Sequence, residues 1–360
     1  MRRTDVLIVG GGPAGAAAAI RLARAGLAPE LVERTGGPHD VVCGGFLGWD
    51  ALAALERLGL SPARLGARPI HRLRLVGAGR TVETALPHAA AGLSRRTLDA
   101  ALLAAAAEAG ASVSRGRAVR AAEAETRRVR LDDDSAVEAE ALLLATGKHE
   151  LRGLPRSAET ATGAVGLRTA LPPSAALERA LEGVIELHLF DGGYAGLLLQ
   201  EDGSANLCLS VAQARLRRDG GVEKLVAALA AELPALAARM EQAEAPDWLA
   251  VSGVPYGWRA RTTAPSLYRI GDQASVIASL AGDGIAIALA SGMAAAEAVA
   301  AGTGAGEFQS RWAARARRPL AVAERLRWAA ERPVPRRALM RLLGWLPGAA
   351  GAAARLTRIG

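Results

Sequence analysis

Cysteine is nearly absent. The 360 residues hold only Cys43 and Cys208, so neither a disulfide scaffold nor a cysteine-rich zinc site can be built, and a cytoplasmic location is expected. Histidine is almost as scarce. The five, at positions 39, 71, 88, 149 and 188, show no metal-ligand spacing, and neither an HExxH nor a GxSxG run occurs, which excludes metal-dependent and serine hydrolysis and predicts no metal site. Long apolar runs are missing too. The longest, residues 274–301, is interrupted by Asp283, several glycines and Glu297, short of the roughly 20 apolar residues a bilayer crossing takes. The apolar stretch after Arg2 and Arg3 contains Asp5 and runs into glycines, so it does not read as a secretion signal, and a soluble chain is expected.

What is present is a globular composition. With 51% hydrophobic and 22% charged residues, wholesale disorder is excluded. A chain of this length buries roughly three quarters of its unfolded surface, as one large or two interlocked domains. The net charge is +8, unevenly spread: residues 306–360 carry 12 arginines and 3 glutamates, leaving 32 basic against 33 acidic residues before them. The excess belongs to a tail, no nucleic-acid-binding module is recognisable, and no nucleic-acid partner is expected.

Residues 4–9 read as a short buried strand running into GGGPAG at 10–15 and an alanine-rich helix reaching Gly26. Gly10, Gly12 and Gly15 take the three places of a dinucleotide fingerprint: tight turn, close approach to a pyrophosphate, and close helix packing. Pro13 and Ala14 open the helix, whose free backbone donors and positive dipole end suit phosphate. A second strand, 29–32, ends in Glu33 and Arg34, with the acid at the spacing that meets the ribose hydroxyls. An adenine dinucleotide follows, and the fingerprint by itself does not separate FAD from NAD.

Three later segments do. They are SRRTLDAALLAAAAEAGA with Arg95, an apolar strand 141–147 ending in Ala145, Thr146 and Gly147, and RIGDQASVIASLAGDGIAIALASG at 269–292. With these motifs the chain resembles the FAD-dependent monooxygenase and geranylgeranyl reductase superfamily, the group with the p-hydroxybenzoate hydroxylase fold, over roughly residues 4–300. The resemblance implies that Arg95 contacts the flavin cofactor, that Val119 and the 145–147 turn lie along it, and that Gly271 and Asp272 hold its ribityl chain. Gly282, Gly284 and Ile285 would open a helix aimed at the pyrimidine edge of the ring, where a helix end supplies about half an elementary charge. Asp283 opposes that effect unless it caps the helix. The proline that family members usually carry near Ala278 or Ser279 is absent.

VVCGGFLGWDALAALERLGL at 41–60 is similar to a stretch of geranylgeranyl reductases in which a Cys-Gly-Gly turn precedes a helix. Gly44 and Gly45 would pass close to the ring, and Cys43 either faces the substrate or fills packing space. A hairpin at 70–86 and strands at 184–190, 194–200 and 206–211 look like the antiparallel sheet that roofs the flavin. In VIELHLF, Glu186 and His188 alternate with apolar residues, which predicts a solvated face for both. Tyr194 is a substrate-facing hydroxyl or a strand aromatic. Gly196 stands where several relatives have tryptophan, and with only Lys148 and Lys224 in the chain the lysine of flavin halogenases is hard to place. Tyr256, Trp258 and Arg259 are candidate pocket residues. Residues 222–240 read as a helix broken or kinked at Pro234. The tail reads as several short helices broken at Pro319, Pro333, Pro335 and Pro347, either a solvated basic face or a place where Trp328, Leu342, Leu343 and Trp345 meet a membrane surface beside arginines.

The expected fold is α/β: a Rossmann-like FAD-binding domain of segments 1–69, 89–164 and 261–305, a substrate-domain hairpin 70–88, an inserted antiparallel-sheet substrate domain 165–260, and a basic helical tail 306–360. The implied function is a FAD-dependent oxidoreductase. The first reading is a single-component monooxygenase hydroxylating an apolar, polyketide- or isoprenoid-like molecule with O2 and NAD(P)H as transient reductant. The second is a geranylgeranyl-reductase-like reductase of carbon–carbon double bonds, and the third a catalytically silent flavin-binding or membrane-docking module. Cys43 and Tyr194 are the candidate catalytic residues.

Overall fold

Val6, Leu7, Ile8 and Val9 are buried in succession because both faces of the first strand are covered. Val6 and Ile8 pack toward the helices Pro13–Arg24 and Gly284–Ala300, while Leu7 and Val9 pack on a small β-meander. In the computed structural model, which describes residues 2–156, 163–241, 247–346 and 348–359, this strand lies inside a seven-stranded sheet. Its parallel part runs Ser112–Arg115, Glu30–Glu33, Arg2–Val9, Ala136–Leu144, and the last of these also pairs in parallel with Leu267–Arg269. The meander Val119–Ala122 and Arg128–Leu131 joins the other end of Ala136–Leu144 in antiparallel fashion. Small residues let the two covering helices touch: a Cβ on Gly292 would lie 2.1 Å from the Ala14 carbonyl oxygen.

The second sheet has eight strands in the order Leu249–Val254, Ala164–Leu171, Ala205–Ala212, Gly193–Leu199, Gly183–Phe190, Arg68–Gly77, Arg80–Gly92, Phe46–Leu47. It is antiparallel except where Gly183–Phe190 runs parallel to Arg68–Gly77. Its strands come from chain segments that interrupt those of the first sheet, so the Rossmann-like unit is discontinuous and the sheet domain is inserted in it. The helices Val222–Glu232 and Pro234–Met240, separated at Leu233, cover one face.

That cover corrects the solvated face expected for Glu186 and His188, because both side chains are buried. Glu186 accepts from Arg74 (2.8 Å) and from Arg239 on the covering helix (3.1 Å), and lies 2.8 Å from His188 Nε2. The alternation is real, but the polar face is roofed by a helix and the apolar face looks into a cavity.

The tail differs from expectation at Pro319, which lies inside one continuous helix, Ala305–Ala330. Buried Trp312 and Ala316 before the proline and Leu320 and Ala323 after it hold the helix to the core, offsetting the roughly 3 kcal/mol that an interior proline costs. Pro333 starts the next helix, Pro333–Trp345, with Pro335 inside its first turn, and a third spans Gly348–Leu356; Pro347 is outside the described residues. Beyond them Arg358 turns inward, pairs with Asp283 and with Asp50 (3.3 Å), and lies 4.1 Å from the centre of the Trp49 ring. Among the described residues no helix is long and apolar enough to cross a membrane.

Candidate active site

The carboxyl ends of the parallel strands open onto a crevice between the two sheets. One end is a cavity of about 400 Å³ along Gly10, Glu33, Arg34, Val119 and Thr146. The other, about 200 Å³, lies under the second sheet and is lined by Pro13, Ala14, Cys43, Gly44, Gly45, Tyr194, Gly271, Gly282, Gly284 and Ile285. Gly12, Arg95, Ala145, Gly147 and Asp272 line both, so the two are halves of one crevice. Of the residues expected along a cofactor, only Gly15 lies off it. A Cβ there would sit 2.0 Å from the Gly10 carbonyl oxygen, which makes Gly15 a packing glycine of the turn.

The first cavity brings together the glycine turn and the acid expected at the adenosine end of a dinucleotide. Gly10 has φ +107°, and a Cβ on it would meet Ala145 O at 2.4 Å, so only glycine brings the two strand ends together. No side chain caps the helix that starts after Gly12, and its first-turn amides remain open to the crevice. The Gly11 amide donates to Glu33 Oε2 (2.7 Å) and the Thr35 amide to Oε1 (2.9 Å). Burial pushes the Glu33 carboxyl up, but these donors and the Thr35 hydroxyl outweigh it and hold the group below the ordinary carboxylate value. Arg34 Nη2 lies 3.0 Å from His149 Nε2; burial first, then Arg34, keeps the imidazole pKa low.

Between the halves, Arg95 forms a two-pronged pair with Asp99 (2.7 and 2.6 Å), and its guanidinium lies where a Cβ on Gly12 would be 3.3 Å away. Gly147, at φ +63°, has its carbonyl held by Arg156 (2.5 Å) and Gln273 (3.0 Å). Lys148 faces Asp272 at 3.3 Å, and that carboxylate raises the lysine pKa.

The second cavity is walled by Ile185, Leu187, Val276 and Leu280, with a line of hydroxyls along one side. The Tyr194 hydroxyl donates to Ser279 Oγ (2.5 Å), Tyr256 Oη lies 2.7 Å from the same oxygen, and Ser210 Oγ lies 3.2 Å from Tyr256. Burial pushes both phenols above the ordinary tyrosine value. Cys208 and Cys43 both line this cavity, and burial pushes the Cys208 thiol up to about 12. The helix Gly284–Ala300 begins at the cavity with no side-chain cap. Asp283 therefore neither caps this helix nor stands there as a lone charge, because Arg358 pairs with it.

Sequence reasoning placed the glycines, Glu33, Arg95 and Tyr256 along the crevice but missed Ser279 and Lys148 as wall residues and Ser210 as the partner of Tyr256. Ser279 entered only as the place of an absent proline, and a lone serine carries no periodic signal. Trp258 and Arg259 do not line the crevice; Trp258 stacks under Arg156, whose guanidinium is 5.4 Å from the ring. Among the described residues no cluster could hold a metal ion.

The comparisons with known proteins agree with this geometry. A family model described as the FAD binding domain matches residues 3–152. Over 307 residues, 79% of this chain and 73% of the relative, the sequence is 31% identical to the menaquinone reductase of Mycolicibacterium smegmatis (strain ATCC 700084 / mc(2)155). The chain belongs to the FAD-dependent monooxygenase and reductase superfamily with the p-hydroxybenzoate hydroxylase fold. Solved structures share the fold at lower identity. The flavin-dependent brominase Bmp2 matches with a TM-score of 0.81 and 16% identity over 99% of this chain and 93% of its own. A geranylgeranyl bacteriochlorophyll reductase-like protein of Thermoplasma acidophilum matches with 0.72 and 20% over 92% and 88%. The protein is thus a FAD-dependent oxidoreductase, and the open helix start at Gly12, the glycine-lined crevice and the carboxylate of Glu33 suit that cofactor.

Proposed function

We propose that this flavoprotein is a reductase that adds two hydrogens across a double bond of an apolar, quinone- or isoprenoid-like molecule, with NAD(P)H as the transient reductant. When bound, FAD supplies the hydride. The observation that carries the reading is the row of hydroxyls Tyr194, Ser279 and Tyr256 on the wall of a mainly apolar cavity, with Ser210 bonded to Tyr256: a hydride added to carbon or quinone oxygen must be matched by a proton, and this row holds one. Burial keeps Tyr256 protonated, while Ser210, Ser279 and the Lys148 ammonium stabilise the phenolate left when the proton departs. In this reading Arg95, Glu33, Asp272 and the fingerprint glycines hold the cofactor, the leucine walls exclude water, and Tyr256 acts as general acid through the chain that includes Tyr194. The likeness to a relative named menaquinone reductase supports a lipophilic quinone as the substrate class.

The apolar walls Ile185, Leu187, Val276 and Leu280 favour one second reading. A monooxygenase hydroxylating an apolar small molecule needs the same exclusion of water, with O2 as co-substrate. Anaerobic turnover separates the two. Purified protein supplied with NADPH and a menaquinone under argon is expected to bleach, and its product to gain two hydrogens; Tyr256→Phe is expected to lower kcat by about 10²-fold or more with KM little changed. Product that forms only in air and carries an added oxygen atom overturns the reductase reading in favour of the monooxygenase.

A further inference from the structure

The exposed large hydrophobic side chains are not scattered. Of the seven among the described residues, only Leu249 lies outside the tail; the others are Trp328, Val334, Leu342, Trp345, Leu346 and Leu356. On the helix Pro333–Trp345 they follow helical spacing: Val334, Leu342 and Trp345 lie on one side with Arg337 and Arg341, all exposed, with Trp345 81% and Val334 73% accessible. The opposite side of the same helix is buried. Met340 and Leu343 pack on Leu75, Leu187, Leu189 and Tyr194, and Leu187 and Tyr194 are walls of the second cavity. The exposed face is therefore one helix diameter, about 10 Å, from the substrate cavity.

The charge carried by the two last helices has one sign. After Glu331 the chain has six arginines and no Asp or Glu. Arg358 turns inward to Asp283 and Asp50, and Arg336 lies toward Asp191 at 3.7 Å, which leaves Arg332, Arg337, Arg341 and Arg355 at the surface. Arg332 stacks on the half-exposed Trp328, its guanidinium 5.1 Å from the ring. A second copy of the chain would oppose arginine to arginine, so like charge disfavours self-association here. Tryptophan and leucine at the level of arginine side chains, with no acid in the two last helices, match instead the acyl boundary and headgroups of an anionic bilayer.

We propose that the face formed by the end of the long tail helix and the two helices after it docks on an anionic lipid surface, with Trp345, Leu342 and Leu346 in the acyl boundary and Arg337, Arg341 and Arg355 at the headgroups. The chain lies on the membrane without crossing it, and the cavity behind the docking helix is held close to the bilayer. The surface stands on its own geometry and does not depend on which reaction the cavity carries out.

Sedimentation of the full-length FAD-loaded protein with vesicles tests this. At low ionic strength the protein is expected to pellet with phosphatidylglycerol vesicles and to stay in solution with phosphatidylcholine vesicles, with binding falling steeply as salt rises. Replacing Trp345, Leu342 and Leu346 by serine, all exposed positions, is expected to weaken binding about tenfold or more with flavin content and melting temperature unchanged. Arg337→Glu with Arg341→Glu, an independent arm, is expected to abolish the preference for phosphatidylglycerol. No pelleting with phosphatidylglycerol, equal binding to both lipids, an unaffected triple-serine variant, or a change of oligomeric state caused by that variant overturns the proposal; the last would mark the face as a protein interface.

Discussion

At Gly44 and Gly284 a Cβ would meet no atom of the protein within 4 Å, yet both residues line the second cavity. They differ in this from Gly10 and Gly15, whose Cβ atoms would strike backbone. The contrast separates glycines whose Cβ the fold excludes from glycines that leave room in the crevice. Gly44→Ala should change the stability of the FAD-free protein by no more than about 0.5 kcal/mol while weakening FAD binding, read by thermal melting and by flavin titration. Gly15→Ala should yield protein that neither retains FAD nor melts cooperatively, because the Gly10 carbonyl has to move. Glu33 makes a finer test. Gln in its place keeps the size but removes the charge that accepts from Gly11 and Thr35, and loss of charge-assisted hydrogen bonds worth about 1.5–3 kcal/mol should weaken FAD binding about tenfold or more.

At the scale of elements, Glu186 ties three together: the strand Gly183–Phe190 that carries it, the strand Arg68–Gly77 through Arg74, and the covering helix Pro234–Met240 through Arg239. Burial raises its pKa, but the hydrogen bonds from His188, Arg239 and Arg74 outweigh burial and bring the carboxyl down from 4.5 to about 2. A carboxyl depressed on folding contributes stability that is complete above its unfolded value and lost as pH falls toward the folded one. Denaturant unfolding of the wild type should therefore lose stability between pH 4.5 and about 2 more steeply than Glu186→Gln does. At pH 7 the variant should be less stable by about 2 kcal/mol, since it removes the anion shared by the half-buried Arg74 and Arg239, although Arg74 keeps Glu83. Equal slopes in that pH window would show that the cluster is not the acid-sensitive tie between these elements.

For the whole molecule, the tail closes back on the first half of the chain. Arg358 reaches the start of the helix Gly284–Ala300 through Asp283 and the helix Trp49–Arg57 through Asp50, and Ile359 is buried in the same core. Arg358→Ala strands a buried carboxylate at the positive end of a helix beside the second cavity. Stability should fall by about 3 kcal/mol, and adding Asp283→Asn should restore much of it, a coupling that a double-mutant cycle in urea measures. The tail thus completes the core as well as presenting the exposed face, whereas its composition offered either a solvated basic face or a membrane contact.

The sequence by itself determined the cofactor half of this protein. Strand, glycine turn, helix, strand and acid lie within about 30 consecutive residues, a spacing at which local geometry leaves little freedom, so the placement of Gly10, Gly12 and Glu33 is legible in the sequence. Helix breaks were legible where the ring of Pro234 meets a helix end, and misread at Pro319, where packing on both sides overrides local preference. Only the tertiary structure decided the substrate half. Tyr194 and Ser279 are 85 residues apart, Asp283 and Arg358 lie on different segments, and the face bearing Glu186 and His188 is polar in sequence yet covered by a helix from farther along the chain. Such contacts join residues that no periodicity links; they exist because two sheets and a returning tail bring distant side chains to one crevice.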